Sequence, residues 1–292
     1  FICLLVPFII KAPMVPLHTW LPDTAEHATP GTSVLLIGVM DKIGTYGMIV
    51  MCVPLLTSDM HWVSLTMMSL AIVAIIYGGL AAIVQDHLYR LISYTSVSHF
   101  GFMVLGIFGG SIAGASGAMV YMVAHGLSIA GLYLISGFLV RRTGTARLSE
   151  MGGIARVSPV IAGTFLFSAL ASIALPGLSG FVPEWLVLTG TFSVSTAAGL
   201  FALLGVVIAA LYALWPYQKV FTGAPKEKYV GIGDLNKSEK LLITPLLIAM
   251  LALGLFTAPL TNLLAEQAEL ISAYTGQPEQ VSVVLSQGGE AK

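Results

Sequence analysis

The sequence has little charge. Of its 292 residues, 9% are charged, against the ~25% usual in soluble domains, while 57% are hydrophobic and the mean hydropathy is +0.91. That balance reads as an all-α polytopic membrane protein. Basic residues are not in excess either: 13 Lys and Arg against 14 Asp and Glu leave a net charge of -1 and no cationic surface for nucleic acid. Cysteine is scarce. Cys3 and Cys52 sit in apolar runs and form no C-x-x-C, so cysteine-ligated iron–sulfur or zinc and a disulfide all lack support. Neither G-x-x-x-x-G-K-[ST] nor G-x-G-x-x-G occurs, which removes the common nucleotide sites. The chain opens on Phe1 within FICLLVPFII, with no initiator Met and no charged leader. It reads as a piece of a longer protein rather than as a signal peptide.

A transmembrane helix needs roughly 20 mostly apolar residues. Windows of that kind lie near 34–56, 62–84, 91–108, 115–140, 160–190, 197–221 and 241–260, and the run at 1–10 is the end of another. The tail from Gln277 is polar and reads as disordered. Ten of the 13 basic residues (Arg90, Arg141, Arg142, Arg147, Arg156, Lys219, Lys226, Lys228, Lys237 and Lys240) fall in three loops, each two spans from the next. All ten are therefore expected at one end of the bundle, which the positive-inside rule makes cytoplasmic, with the C-terminus outside. Lys292 ends the chain, so Lys11 and Lys42 are left in the membrane.

Lys42 stands 11 residues after Gly31, about 16 Å deep and near the middle of a ~30 Å core. An ammonium there costs at least ~3 kcal/mol and must face protein or water. Snorkelling is a poor alternative at that depth, and Asp41 is a poor partner because adjacent helical residues point about 100° apart. Lys11 precedes APMVPLHTWLPD, whose prolines interrupt the helix; an interfacial anchor formed with Trp20 is the bland alternative. A second interruption, ALPGLSG, lies inside the 160–190 window and is followed by Glu184. Broken helices are tolerated in membranes only where they line a cavity or are covered by protein. His99 shares a helical face with Tyr94, Thr95 and Ser98, and His125 with Tyr121 and Ser128. Each histidine could be a structural hydrogen-bond partner, but two near-midplane imidazoles with hydroxyl neighbours suit proton transfer. Lys11, Lys42, His99, His125 and Glu184 thus read as one line of proton-exchanging groups, and no metal-ligand spacing accompanies them.

The stretches KAPMVPLHTWLPDTAEHATPGTSVLLIGVMDKIGTYG, RLISYTSVSHFGFMVLGIF, YMVAHGLSIAGLYLISG and ALPGLSGFVPEW resemble the antiporter-like membrane subunits of respiratory complex I, NADH:quinone oxidoreductase. The resemblance covers Lys11 to about Phe221, and PGTSVLLIGVMDKIGTYG is similar to the chain M branch, in an actinobacterial form. It implies inverted five-helix repeats, each with one broken helix: residues 1–61 as the tail of a first repeat, 62–221 as a complete second repeat, and 222–292 as a basic loop, a final helix and the polar tail. About seven to eight transmembrane helices are expected. By family pattern Lys11 is the lysine of the first broken helix, Lys42 the central lysine, His99 and His125 the connecting histidines and Glu184 the terminal carboxylate. The glutamate that the family pairs with the Lys11 position would lie upstream. Asp41 beside the central lysine departs from the pattern, as does Tyr89 before Arg90, and neither departure alters any of the five core positions.

The resemblance implies a proton-translocating membrane-arm subunit in a bacterial inner membrane. It would carry no cofactor of its own; FMN, iron–sulfur clusters and quinone are expected in partner subunits, with antiporter-like chains L and N as neighbours. A cation/proton antiporter subunit of the Mrp type is the alternative of the same fold, and a structural membrane module is the alternative of a different class. Sodium dependence separates the first alternative from the leading reading. Pumping that survives Lys42→Ala would favour the second.

Overall fold

A backbone in lipid has no water to bond, so a span must satisfy its own amides and carbonyls, and this chain does so with helices. The computed structural model describes residues 1–57 and 60–276; the tail from Gln277, with Lys292, lies outside the described residues. In chain order the helices are α1 (Ile2–Lys11), α2 (Trp20–His27), α3 (Pro30–Leu55), α4 (His61–Ile83), α5 (Leu88–Phe108), α6 (Ile112–Thr143), α7 (Pro159–Ser172), α8 (Phe181–Val194), α9 (Thr196–Phe221), α10 (Lys237–Leu255), α11 (Ala258–Leu263) and α12 (Ala265–Thr275). Among the described residues six of them, α3, α4, α5, α6, α9 and α10, are long and apolar enough to cross a membrane. The shorter α7 and α8, 14 residues each, lie on either side of residues 173–180 and fill the window expected to hold a broken span.

Helix α5 is the axis of the bundle. Apart from Arg90, all its residues are buried, with α4, α6 and α2 packed around it. Helices α4, α9 and α10 keep broad apolar faces exposed, such as Leu200, Phe201, Leu204, Val207 and Leu211 on α9, as helices beside lipid or another membrane chain would.

Helix ends follow the local chemistry. Thr29 caps α3 with Pro30 in its first turn. Ser111 caps α6, which ends at Gly144 with φ 73°, a left-handed stop that a Cβ would disfavour. Asn236 and Glu239 close a capping box on α10.

The three basic loops do meet at one end. The amide and hydroxyl of Ser149 donate to the carboxylate of Asp86 at 2.9 and 2.5 Å, and Lys219 joins the same carboxylate at 3.2 Å. Arg142 bonds both oxygens of Glu239 and the carbonyls of Gly233 and Asp234. Arg90 reaches Asp23 and Glu26 on α2 at 2.7 and 2.9 Å.

Two features depart from expectation. Helix α3 is not a regular helix: π-helical turns at Leu36–Met40 and Met48–Cys52 flank the segment that carries Lys42. The last span is followed not directly by the tail but by α11 and α12, and α12 buries Ala268, Ile271 and Thr275. That segment is too short and too polar to register as a span, and its apolar positions are spaced for one buried face only.

Candidate functional site

Lys42 is buried at 8% exposure, and its position follows from α3. Long side chains on a helix point back toward its N-terminus, and Lys42 Nζ donates to the carbonyl of Ile37 within the preceding π turn. Such turns occur often at functional sites because they aim side chains that a regular helix would place elsewhere. The same ammonium stands 5.3 Å from the centroid of Phe100 on α5, an attractive contact with the face of the ring.

From Lys42 the polar groups continue inward. The Phe100 ring packs edge-to-face on His125 at 5.5 Å, and His125 on His99 at 5.0 Å. His99 stands 5.9 Å from Tyr121, whose hydroxyl donates to Oε2 of Glu184 at 2.6 Å. His99, His125 and Glu184 are all buried, at 1%, 1% and 3% exposure. Among the described residues neither ring nitrogen of His125 has a hydrogen-bond partner, nor has Nδ1 of His99. Four of the five expected residues are thus brought into one buried line, and an aromatic ring at Phe100 and a phenol at Tyr121 fill its gaps.

Two glycines on α6 hold this line together. A Cβ at Gly126 would lie 2.7 Å from the carbonyl oxygen of Gly38, so only glycine lets α3 cross α6 beside His125. A Cβ at Gly117 would lie 2.7 Å from the carbonyl of Pro183 and 2.8 Å from the amide of Val187. That contact seats the first turn of α8, and with it Glu184, against Tyr121 one turn further along α6.

The break before Glu184 is a run of tight turns in which Ala174 and Gly177 take positive φ, 57° and 89°. Beside it the hydroxyls of Ser168, Ser172 and Ser179 are buried without a hydrogen-bond partner among the described residues. Ser172 also borders a small, mostly apolar cavity of about 20 Å³, room for a single water, that Thr95, Tyr212 and Pro216 help to line. This cavity lies on the side of His99 that faces the basic loops, and Tyr212 joins it to the line: its hydroxyl is 2.8 Å from His99 Nε2.

Of the hydroxyl residues on the two helical faces Tyr121 joins the line, with its ring beside His99 and its hydroxyl on Glu184, whereas the hydroxyl bonded to His99 is that of Tyr212. Thr95, Ser98 and Ser128 spend their hydrogen bonds on the carbonyls of Ile92, Ile75 and His125. Tyr94 turns its ring to His18 and Tyr77. Tyr212, on the remote α9, gave no periodic signal that would have singled it out.

Lys11 lies apart from the line. Its Nζ is 5.7 Å from the Trp20 ring, whose indole N–H donates to Ile10 O at 2.9 Å, so the anchor geometry is present. It is also 3.9 Å from Asp41 Oδ1. The sequence alone weighs Asp41 only as a partner for its neighbour Lys42 on α3, and the approach of Lys11 from the adjoining α1 is not legible there.

At the basic end, outside the spans, the hydrogen bond from Arg90 holds the Glu26 carboxyl below its ordinary pKa. Burial pushes Asp86 upward, but the hydrogen bonds from Ser149 and Lys219 outweigh it and hold that carboxyl low.

Residues 1–210 match the family model described as NADH:quinone oxidoreductase/Mrp antiporter, transmembrane. The chain belongs to that family. It is 44% identical over 270 residues to NADH-quinone oxidoreductase subunit M of Mycobacterium tuberculosis, covering 92% of this chain and 49% of that one. Subunit M of Rhodobacter capsulatus is 37% identical over 276 residues, 94% of this chain and 54% of the relative. The chain thus spans about half the length of the curated relatives it matches. Among solved structures, a chain of respiratory complex I from Thermus thermophilus with bound NADH superposes with a TM-score of 0.88 at 31% identity, over 94% of this chain and 58% of that one. A chain of the Mrp complex from Dietzia sp. shares the fold, with a TM-score of 0.79 at 22% identity over 94% of this chain and 58% of that one.

Proposed function

We propose that this chain moves protons across a bacterial inner membrane as an antiporter-like subunit M of an NADH:quinone oxidoreductase. The observation that carries the reading is the buried line from Lys42 through Phe100, His125, His99 and Tyr121 to Glu184. Lys42 takes a proton and passes it to His125 and His99, and Glu184 receives it at the break. Phe100 cannot carry a proton; it bounds the gap between Lys42 and His125 and keeps that step dependent on movement of the lysine. The water-sized space at Tyr212 adjoins His99 on the basic-loop side, which this reading makes cytoplasmic, and Tyr212 holds the His99 ring toward it.

Residues 62–221 act as the second inverted repeat and 1–61 as the tail of the first. Residues 222–292 supply the basic loop, a final span and the tail. Lys11, at the first break, carries the same proton traffic in the preceding repeat. FMN, iron–sulfur clusters and quinone belong to partner subunits, which drive the relay by electron transfer, and chains L and N are its neighbours in the membrane arm. The similarity to subunit M, at 37–44% identity, favours this reading over an Mrp antiporter, for which the likeness is of fold and family model. The test is Lys42→Ala in the full-length subunit within its assembled complex. Proton uptake by vesicles should fall while the complex still assembles; unchanged uptake would return the polar residues to a structural role, and uptake dependent on sodium would favour the antiporter.

A further inference from the structure

Asp41 is the most anomalous side chain in the molecule. It is 0% exposed, and neither carboxylate oxygen has a hydrogen-bond partner among the described residues. An ionised carboxylate in such a place is costly unless a cation neutralises it. Two cations adjoin it. Lys42 is its neighbour in sequence, but that ammonium is turned to Ile37 O and Phe100. Lys11, from α1, places Nζ 3.9 Å from Oδ1.

That separation lies within the range of an ion pair and about 1 Å beyond a hydrogen bond. The two groups attract, yet a small movement decides whether they share a proton. The backbone permits a close approach here: α1 packs so tightly on α3 that a Cβ at Gly44 would lie 2.5 Å from the amide of Ala12, the residue after Lys11. The end of α1 and the middle of α3 are thereby held in register. The π turn that ends at Met40, next to Asp41, is an irregularity about which this part of α3 can shift.

We propose that Asp41 is a further proton-carrying residue of this chain, a carboxylate that exchanges a proton with Lys11 and so couples Lys11 to Lys42. In the step, an N–H bond of the Lys11 ammonium breaks and its electron pair stays on nitrogen. The proton forms an O–H bond at Oδ1 of Asp41. Lys11 becomes a neutral amine, Asp41 a neutral acid, and the total charge is unchanged. The consequence falls on Lys42. With Asp41 ionised, a negative charge beside Lys42 favours its ammonium; with Asp41 neutral that support is gone, and the Lys42 proton is released toward His125. Return of the proton to Lys11 resets the pair.

This inference rests on the proton-relay reading, and the experiment separates the two. Complexes carrying the full-length subunit with Asp41→Asn, Asp41→Glu or Lys42→Ala are reconstituted in vesicles, and the protons moved per electron are measured. Asp41→Asn should lower the ratio by an amount of the same order as Lys42→Ala, and Asp41→Glu should restore part of it. A normal ratio in Asp41→Asn beside a lowered one in Lys42→Ala overturns the role of Asp41 alone. Normal ratios in both overturn the relay reading as well. Should Asp41→Asn fail to assemble, infrared difference spectra of the wild type and Asp41→Glu decide. A carboxylic acid band that appears in turnover and moves with the substitution supports the exchange, and identical spectra contradict it.

Discussion

The Tyr121 hydroxyl donates a 2.6 Å hydrogen bond to Oε2 of Glu184, while the same ring stands 5.9 Å from His99. One side chain on α6 therefore touches the carboxylate at the break and faces the histidine pair. A hydrogen bond to an ionised group contributes about 1.5–3 kcal/mol, or about 10- to 150-fold in the balance between the ionised and neutral acid. Tyr121→Phe keeps the ring and removes that bond. It should leave assembly intact and slow proton pumping roughly tenfold or more, measured as the rate of proton uptake by vesicles during NADH oxidation.

The histidines separate transfer from hydrogen bonding. Gln can donate and accept but does not titrate near neutral pH. Ala or Gln at His99 or His125 should each lower pumping in an assembled complex, with Gln recovering only part. Full pumping with Gln at both positions would leave them a structural role.

Arg142 and Glu239 tie α6 to α10 through a half-buried, two-pronged ion pair at 3.1 and 2.5 Å. Removing Arg142 leaves the Glu239 carboxylate with the amide of Asn236 and, 3.9 Å away, Arg141, so the cost falls below the about 3–5 kcal/mol of a buried charge left with no partner. Arg142→Ala should therefore destabilise the packing of α10 and reduce the amount of assembled complex, read on a native gel. Arg142→Lys, which keeps the charge but loses the fork, should fall between.

Orientation has its own measurement. Cysteine at Lys228, in the basic-loop cluster, should resist a membrane-impermeant thiol reagent added to the periplasmic face. Cysteine at Glu266, exposed on α12 at the other end, should be modified. Strong labelling at position 228 with none at 266 would invert the topology.

Much of this was legible in the sequence because a membrane simplifies it. Long apolar runs gave the spans, and the placement of Arg and Lys gave the loops that do converge at one end. The proline and glycine cluster gave the break, and lone ionisable residues in apolar runs gave Lys42, His99, His125 and Glu184. The contacts that were missed depend on neighbours from other helices. Tyr212 meets His99 from α9, 113 positions away in sequence, and Asp41 meets Lys11 from α1. Nor does periodicity reveal a π turn, since one extra residue in a helical ring leaves composition unchanged and only rotates the residues beyond it. The hydroxyl stripes misled because Ser and Thr on a helix can satisfy themselves on nearby carbonyls, as Thr95 and Ser128 do.

The proton-to-electron ratio of the complex with Glu184→Gln tests the relay most directly. Gln keeps the size and the ability to bond Tyr121 but cannot take up the proton that arrives through His99. In reconstituted vesicles the substitution should lower the ratio and slow coupled electron transfer while the complex remains assembled, and Glu184→Asp should retain part of both. A ratio equal to that of the wild type with Gln at position 184 would contradict the relay and leave the broken helix with some other purpose.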